Sequence, residues 1–304
     1  MGTPDFAVPS LKALHNSGHE VALVVTQPDR PRGRGQKVMF SPVKEAALEL
    51  GYDILQPLSV RTPEFYEKVV ALSPDIFVVI AFGHILPKKV LSIPEKGAIN
   101  LHASLLPKYR GPAPIQRAII NMEKETGVTA MLMNEGLDTG DILLSAKTEI
   151  FSKETSPSLH DRLSLMAGDL LILTLSEMST NSINPVSQDN SISTYAPLLK
   201  KKDGLIDWSK PAEEIEAFIR GMTPWPGAFT FIGRKRIKIF ASDVVFKDSK
   251  GDPGAVTGET RDRLYIATGK YLLSIKEIQE ESGKRLSIKD YLRGYSVTPG
   301  TILC

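Results

Sequence analysis

The sequence predicts an α/β protein with a doubly wound, Rossmann-like parallel sheet followed by a small β-barrel of the oligonucleotide-binding type. Three observations predict it. Strand-like and helix-like segments alternate from residue 1 to about residue 180, the signature of a parallel sheet with helices on its faces. Ile76–Phe82 is apolar throughout, as a strand covered on both faces must be. From about Asp203 the pattern changes to short strands at close spacing, which reads as a barrel or sandwich. The 304 residues amount to two domains at about 150 residues each. The expected division is 1–183, a linker at 184–202, and 203–304.

The first domain opens on the turn Gly2-Thr3-Pro4 and an amphipathic segment, Val8–Asn16. Glu20–Gln27 is a Val-rich strand bounded by Gly18 and Pro28. Ser41–Gly51 carries a Ser cap, Pro at the first helical position and a closing Gly, three helix-boundary signals in order. Asp53–Gln56 is a brief strand, and Pro63–Leu72 has helical spacing through Phe65, Val69 and Leu72. After Ile76–Phe82 come a strand at Gly97–Ala103, a helix at Pro114–Met122, strands at Val128–Met133 and Ile142–Ile150, and a long helix at Ser156–Ser179. The polar stretch Ser176–Asp189 contains Pro185 and begins the linker. In the second domain a helix is expected at Pro211–Arg220. Strands follow at Ala228–Ile232, Lys235–Phe240, Gly254–Thr257, Leu264–Ala267 and Tyr271–Ile278, about the number such a barrel needs.

Hydrophobic residues make up 42% and charged residues 24%, a balance that excludes disordered and collagenous chains. The lone cysteine, Cys304, excludes an internal disulfide or a cysteine metal cluster. His15, His19, His84 and His160 show no metal-ligand spacing, so no metal is expected. No apolar run approaches the length of a bilayer span, and the N-terminus has no leader pattern. A soluble cytoplasmic protein with no membrane partner is the expectation. Net charge is only +2, yet residues 200–304 hold 19 basic against 14 acidic residues. A polyanionic partner is therefore expected on the C-terminal third.

Asn100 and His102 are two apart on one strand, so both face the same way, at the strand ends where doubly wound sheets bind ligands. Two polar residues satisfied by backbone at a strand end would look the same. Gly136-Leu137-Asp138-Thr139-Gly140-Asp141 is a glycine-flanked acidic turn. Its Asp138 could orient a histidine and keep it protonated, or simply close a local Asx turn. Arg30–Lys37 is a basic, glycine-rich loop that suits phosphate and equally a solvated surface. Gly33 and Gly35 lack the third glycine of a dinucleotide fingerprint, which argues against a nicotinamide enzyme.

Taken together, GTPDFAVPS (2–10), QPDRPRGRG (27–35), SPVK (41–44), NLHASLLP (100–107), RGPAPIQ (110–116), GLDTGDIL (136–143) and PWPGA (224–228) closely resemble the methionyl-tRNA formyltransferases. These belong to the wider formyltetrahydrofolate-dependent formyltransferase superfamily. The resemblance runs the length of the chain. It implies formyl transfer from 10-formyltetrahydrofolate to the α-amino group of initiator methionyl-tRNA, with no metal, by a protein expected to be a monomer. It implies Asn100, His102 and Asp138 as catalytic residues. It implies a folate site at Phe82, Gly83, His84, Ile85, Leu86, Ser104, Leu105, Leu106 and Pro107. It also implies tRNA contacts at Arg32, Arg34, Lys37, Lys200, Lys201 and Lys202.

In that family's pattern an apolar strand precedes the GTPDF turn, whereas here the chain starts at the turn. A strand is therefore expected upstream of Met1, central in the sheet. Three rivals remain: another formyl acceptor such as a glycinamide ribonucleotide or a nucleotide sugar, a nucleotide-binding module without chemistry, and the nicotinamide enzyme disfavoured above.

Overall fold

The structure, a computed structural model, describes residues 1–32, 37–248, 251–260, 262–281 and 283–304. Contacts divide the chain into two units. One comprises Met1–Pro114, Glu125–Glu149 and His160–Ala196; the other comprises Ile115–Lys124, Ile150–Leu159 and Pro197–Cys304.

In chain order the elements up to residue 179 are α1 (Val8–Asn16), β1 (Val24–Val25), β2 (Arg30–Arg32), β3 (Lys37–Met39), α2 (Pro42–Glu49), β4 (Ile54–Leu55), α3 (Pro63–Ala71), β5 (Phe77–Val79), α4 (Lys88–Leu91), β6 (Ala98–His102), α5 (Pro114–Ile120), β7 (Glu125–Leu132), β8 (Ile142–Glu149) and α6 (Ser156–Ser179). Local chemistry sets the helix starts. Ser41 accepts from the Lys44 N–H at 3.1 Å and Thr62 from the Phe65 N–H at 3.3 Å, each before a proline at the first helical position. Each cap satisfies an N–H that the helix itself leaves unpaired.

The strands pair as a two-stranded sheet, β1-β4, and a four-stranded mixed sheet, β5-β6-β7-β8, which corrects the expectation of parallel strands throughout. β1 pairs parallel with β4 and β5 parallel with β6, but β6–β7 and β7–β8 are antiparallel. Only residues 133–141 join β7 to β8. That is too short for the crossover a parallel pair needs, so the chain doubles back as a hairpin. The basic loop is likewise a hairpin at its base, β2 against β3 with Arg32 opposite Lys37.

Two strands are shorter than their apolar runs. Glu20–Gln27 yields only β1, and Ile76–Phe82 only β5. Between them lies the start of the chain. The Gly2 N–H donates to the Val25 carbonyl at 3.0 Å, the Ile80 N–H to the Met1 carbonyl at 2.9 Å, and the Met1 amine to the Val78 carbonyl at 2.6 Å. Beyond Met1 the two strands flank a cavity of about 520 Å³, lined by Val21, Leu23, Val25, Ile76 and Val78 among others. The neighbouring core gathers Val25, Val60, Phe65, Phe77, Val79, Phe82, Leu86 and Val90, all at 5% exposure or less.

The second unit contains α7 (Ala212–Met222), β9 (Ala228–Ile232), β10 (Lys235–Val245), β11 (Val256–Thr260), β12 (Arg263–Ala267), β13 (Leu272–Glu280), β14 (Leu286–Ser287) and α8 (Ile288–Gly294). The strands form one curled antiparallel sheet in the order β11-β12-β13-β10-β9, with β14 on β13. A register shift in β10 between Ile239 and Ser242 marks where that long strand bends along β13, as bulges do. The C-terminal residues stitch the two edges: the Phe231 N–H donates to the Cys304 carbonyl at 2.7 Å, and the Leu303 N–H to the Gly254 carbonyl at 2.8 Å. The sequence expectations omitted β14 and α8, which are too short to carry a period. Among the described residues no helix is long and apolar enough to cross a membrane.

Candidate active site

β6 carries Asn100 and His102 on one side, opposite Met131 and Thr129 of β7. The turn after β7 brings Asp138 to them. Its backbone is left-handed, φ 52°, a conformation that Asp tolerates better than most residues. Gly140 allows the close approach behind it: a Cβ there would lie 1.6 Å from the Leu132 carbonyl oxygen.

The carboxylate of Asp138 collects three groups. Its Oδ2 accepts the Gly111 N–H at 2.7 Å and lies 3.6 Å from His102 Nδ1; its Oδ1 faces Asn100 Nδ2 at 3.5 Å. Gly111 has φ +105°, and a Cβ there would strike the Tyr195 ring at 2.6 Å and the Ala196 carbonyl at 2.9 Å. The other ring nitrogen of His102, Nε2, is 2.8 Å from the Tyr109 carbonyl. A carbonyl only accepts, so Nε2 carries a proton. His102 is 7% exposed, with Nε2 bonded to the Tyr109 carbonyl and Nδ1 turned toward the Asp138 carboxylate. At 3.6 Å the separation of Nδ1 from the carboxylate oxygen is longer than a hydrogen bond.

The structure brings these three expected residues together, and the other expected site residues fall into groups. Phe82 and Leu86 are core side chains at 2% exposure, Ser104 is fully buried with its Oγ donating to the Lys108 carbonyl, and Leu106 is buried. Ile85 stands 72% exposed. Leu105 and Pro107 are half-buried, and Gly83 has φ 82°. His84 is distinctive: its Nε2 is buried without a hydrogen-bond partner among the described residues. Burial, with the Arg30 charge behind it, pushes that ring below the usual histidine range. The Phe82 carbonyl is tied to Thr3 Oγ1 and Gln27 Nε2, which joins three motifs of the sequence at one loop. Lys44 bonds Asp29 at 2.5 Å and holds that carboxyl below the usual carboxylate range.

Of the basic residues, Arg34 lies outside the described residues; Arg32 ends β2 and Lys37 opens β3. Lys200, Lys201 and Lys202 are exposed on a short turn capped by Asp203. Lys238 belongs beside them: burial, then the charges of Arg236 and Lys201, push its ammonium below the usual lysine range. No group of three or more His, Cys, Asp or Glu side chains suited to a metal occurs among the described residues. The sequence reading omitted Tyr109, Gly111 and Gln188 as contributors. Gln188 fell within the expected linker, where composition carries no signal for it.

The Formyl transferase family matches residues 1–175, and the Formyl transferase, C-terminal domain family matches residues 198–296. A methionyl-tRNA formyltransferase of Citrifermentans bemidjiense is 50% identical over 303 residues, covering 100% of this chain and 95% of that protein. One of Caldanaerobacter subterraneus subsp. tengcongensis is 49% identical over 304 residues, covering 100% of this chain and 98% of that protein. The fold is shared with a sugar 3N-formyl transferase, WlaRD, solved with dTDP and 5-N-formyl-THF: TM-score 0.65 at 21% identity, over 93% of this chain and 97% of that one.

Proposed function

Because this chain belongs to the methionyl-tRNA formyltransferase family, we infer that it moves a formyl group from 10-formyltetrahydrofolate to the free α-amino group of initiator methionyl-tRNA. The observation that carries the chemistry is the convergence of Asn100 and His102 on the Asp138 carboxylate. On this reading the enzyme works as a cytoplasmic monomer without a metal, and its second domain is a barrel of the oligonucleotide-binding type.

The amine lone pair attacks the formyl carbon, a C–N bond forms, and charge moves to the formyl oxygen. Asn100 donates its amide N–H to that oxyanion. His102 adds its charge, and its Nε2 proton is shared between the Tyr109 carbonyl and the incoming oxygen. Preformed donors of this kind stabilise the transition state most where water is excluded. Asp138 balances the imidazolium and accepts, through a water, the proton that the attacking amine sheds. When the tetrahedral centre collapses, the bond to the folate nitrogen breaks and that proton follows the leaving nitrogen.

The folate fits the loop at residues 82–87. The unpartnered Nε2 of His84 offers a polar contact there, and Gly83 turns the backbone. The buried Phe82, Leu86, Ser104 and Leu106 shape that wall from behind. A formylation assay with charged initiator tRNA and 10-formyltetrahydrofolate tests the reading. Formylmethionyl-tRNA is the expected product; formylation of a nucleotide-linked amino sugar instead, with none of the tRNA, overturns it.

The polyanion is read by the second domain, where Lys201, Arg236 and Lys238 lie close enough to feel one another. Arg32, Arg34 and Lys37 are read as contacts for the acceptor end of the tRNA. Lys201→Ala combined with Lys202→Ala should raise KM for methionyl-tRNA about 3- to 10-fold and reduce the salt slope of tRNA binding by about 2. KM for the folate should stay unchanged. An unchanged salt slope excludes phosphate contacts by these lysines.

A further inference from the structure

We propose that Gln188, clamped by Arg110, is a positioning residue for Asp138. The proposal rests on the reading of Asp138 as catalytic.

Gln188 uses its whole carboxamide. Its Nε2 donates to the Asp138 carbonyl at 2.9 Å and to the Gly140 carbonyl at 2.7 Å. Its Oε1 accepts two bonds from Arg110, from Nε at 3.0 Å and Nη2 at 2.8 Å. Both N–H bonds and the oxygen are therefore spent, and the amide has one orientation. Arg110 is fixed in turn: its Nη2 also donates to Asn190 Oδ1 at 2.9 Å. Its planar fork suits this two-point grip in a way a lysine cannot match.

The segment around Gln188 is a strap across both loops of the site. On one side Val186 exchanges backbone bonds with Ile142, and Ser187 Oγ donates to Asp141 Oδ1 at 2.9 Å. On the other side the Arg110 N–H donates to the Thr194 carbonyl and the Ala196 N–H to the Arg110 carbonyl. The Tyr109 N–H donates to Thr194 Oγ1 at 2.8 Å. The 107–113 loop supplies the Tyr109 carbonyl to His102 and the Gly111 N–H to Asp138. One strap thus sets both what His102 leans on and where the Asp138 carboxylate points.

The need for a clamp follows from the turn. Asp138 sits in the left-handed region, a less populated backbone state that persists only when its surroundings hold it. Two carbonyls of that turn converge on one NH₂ group. Without it, a peptide rotation would swing the carboxylate off His102 Nδ1, and displacements of about 1 Å can cost about 100-fold in rate.

The test is a double-mutant cycle between Gln188 and Asp138, read as single-turnover formylation, with melting curves for each variant. Gln188→Ala and Gln188→Glu are both made. The Glu still accepts from Arg110 but sets an oxygen against the two carbonyls. Each should lower kcat about 10- to 100-fold, change KM for the folate less than about 3-fold, and shift the pH profile of kcat. In the Asp138→Ala background each should cost less than about 3-fold, because residues that act as a unit are non-additive. Equal losses in the parent and Asp138→Ala backgrounds overturn the proposal, as does an unchanged kcat and pH profile in both variants. A fully active Asp138→Ala overturns instead the reading on which the proposal rests.

Discussion

Asn100→Ala, His102→Ala and Asp138→Ala should each lower the formylation rate by about 10²- to 10⁴-fold, the usual range for an oxyanion donor or a proton acceptor. The geometry ranks them. Asn100 makes one long contact, 3.5 Å to Asp138, so its amide is the donor least committed elsewhere, and its removal should fall mainly on kcat. His102→Ala removes the Nε2 bond to Tyr109 as well and frees the 107–113 loop on that side. Asp138→Ala leaves the Gly111 N–H without its acceptor and His102 without its counter-charge. Asp138→Asn keeps the shape and an oxygen for Gly111 but removes the charge. It should still be slow, which separates electrostatics from packing. Single-turnover rates with saturating folate measure the effect, and circular dichroism melts check folding. Three folded variants formylating near the parent rate would mean that the reaction centre lies elsewhere.

Lengthening the chain at Met1 by an apolar, β-branched strand of about five to seven residues should stabilise it by several kcal/mol. Met1 and Gly2 already bond to both neighbours as strand residues do. Val24 and Thr26 direct their N–H groups to β4, and Phe77 directs its own to the Gly97 carbonyl beside β6. Ladder alternation therefore turns the backbone of Leu23, Ile76 and Val78 toward the cavity. Each buried ladder bond restored is worth on the order of 1 kcal/mol, and each group rescued from being unpaired more than that.

The amine adds a pH signature. Burial pushes the Met1 ammonium from 8.0 down to about 5. The unfolded chain then holds an extra proton between those values, so stability rises with pH from about 5 to about 8 and is lowest below that window. At about 1.4 kcal/mol per pH unit the full effect approaches 4 kcal/mol. An extended chain carries an amide N–H at this position and loses the dependence. Its melting temperature should exceed the parent's by about 5 °C or more at pH 7, a domain of this size gaining about 2–4 °C per kcal/mol. The gap should widen toward pH 5. Equal melting temperatures at both pH values would mean that the cavity gains nothing from a strand.

Much of the fold follows from local rules that a sequence carries openly. Ser41-Pro42 and Thr62-Pro63 start helices because cap and proline chemistry act within one turn. The α6 limits coincide with the leucine spacing of Ser156–Ser179. Asn100 and His102 share a strand face because a strand has period two. What only the tertiary structure decided depends on partners far along the chain. Periodicity reports which side a residue faces, not the direction of the neighbouring strand, so the reversal of β7 against β6 appears only once residues 103–124 have folded, whereas the short 133–141 link alone requires β8 to turn back along β7. Gln188 sits in a polar stretch whose composition reads as linker. It acquires a role only where folding sets its one amide between Arg110, 78 residues away, and the carbonyls of Asp138 and Gly140. The engagement of His102 by the Tyr109 carbonyl is of the same kind. Hydrogen bonds are short and directional, and which donor meets which acceptor is settled only when loops distant in sequence are packed side by side.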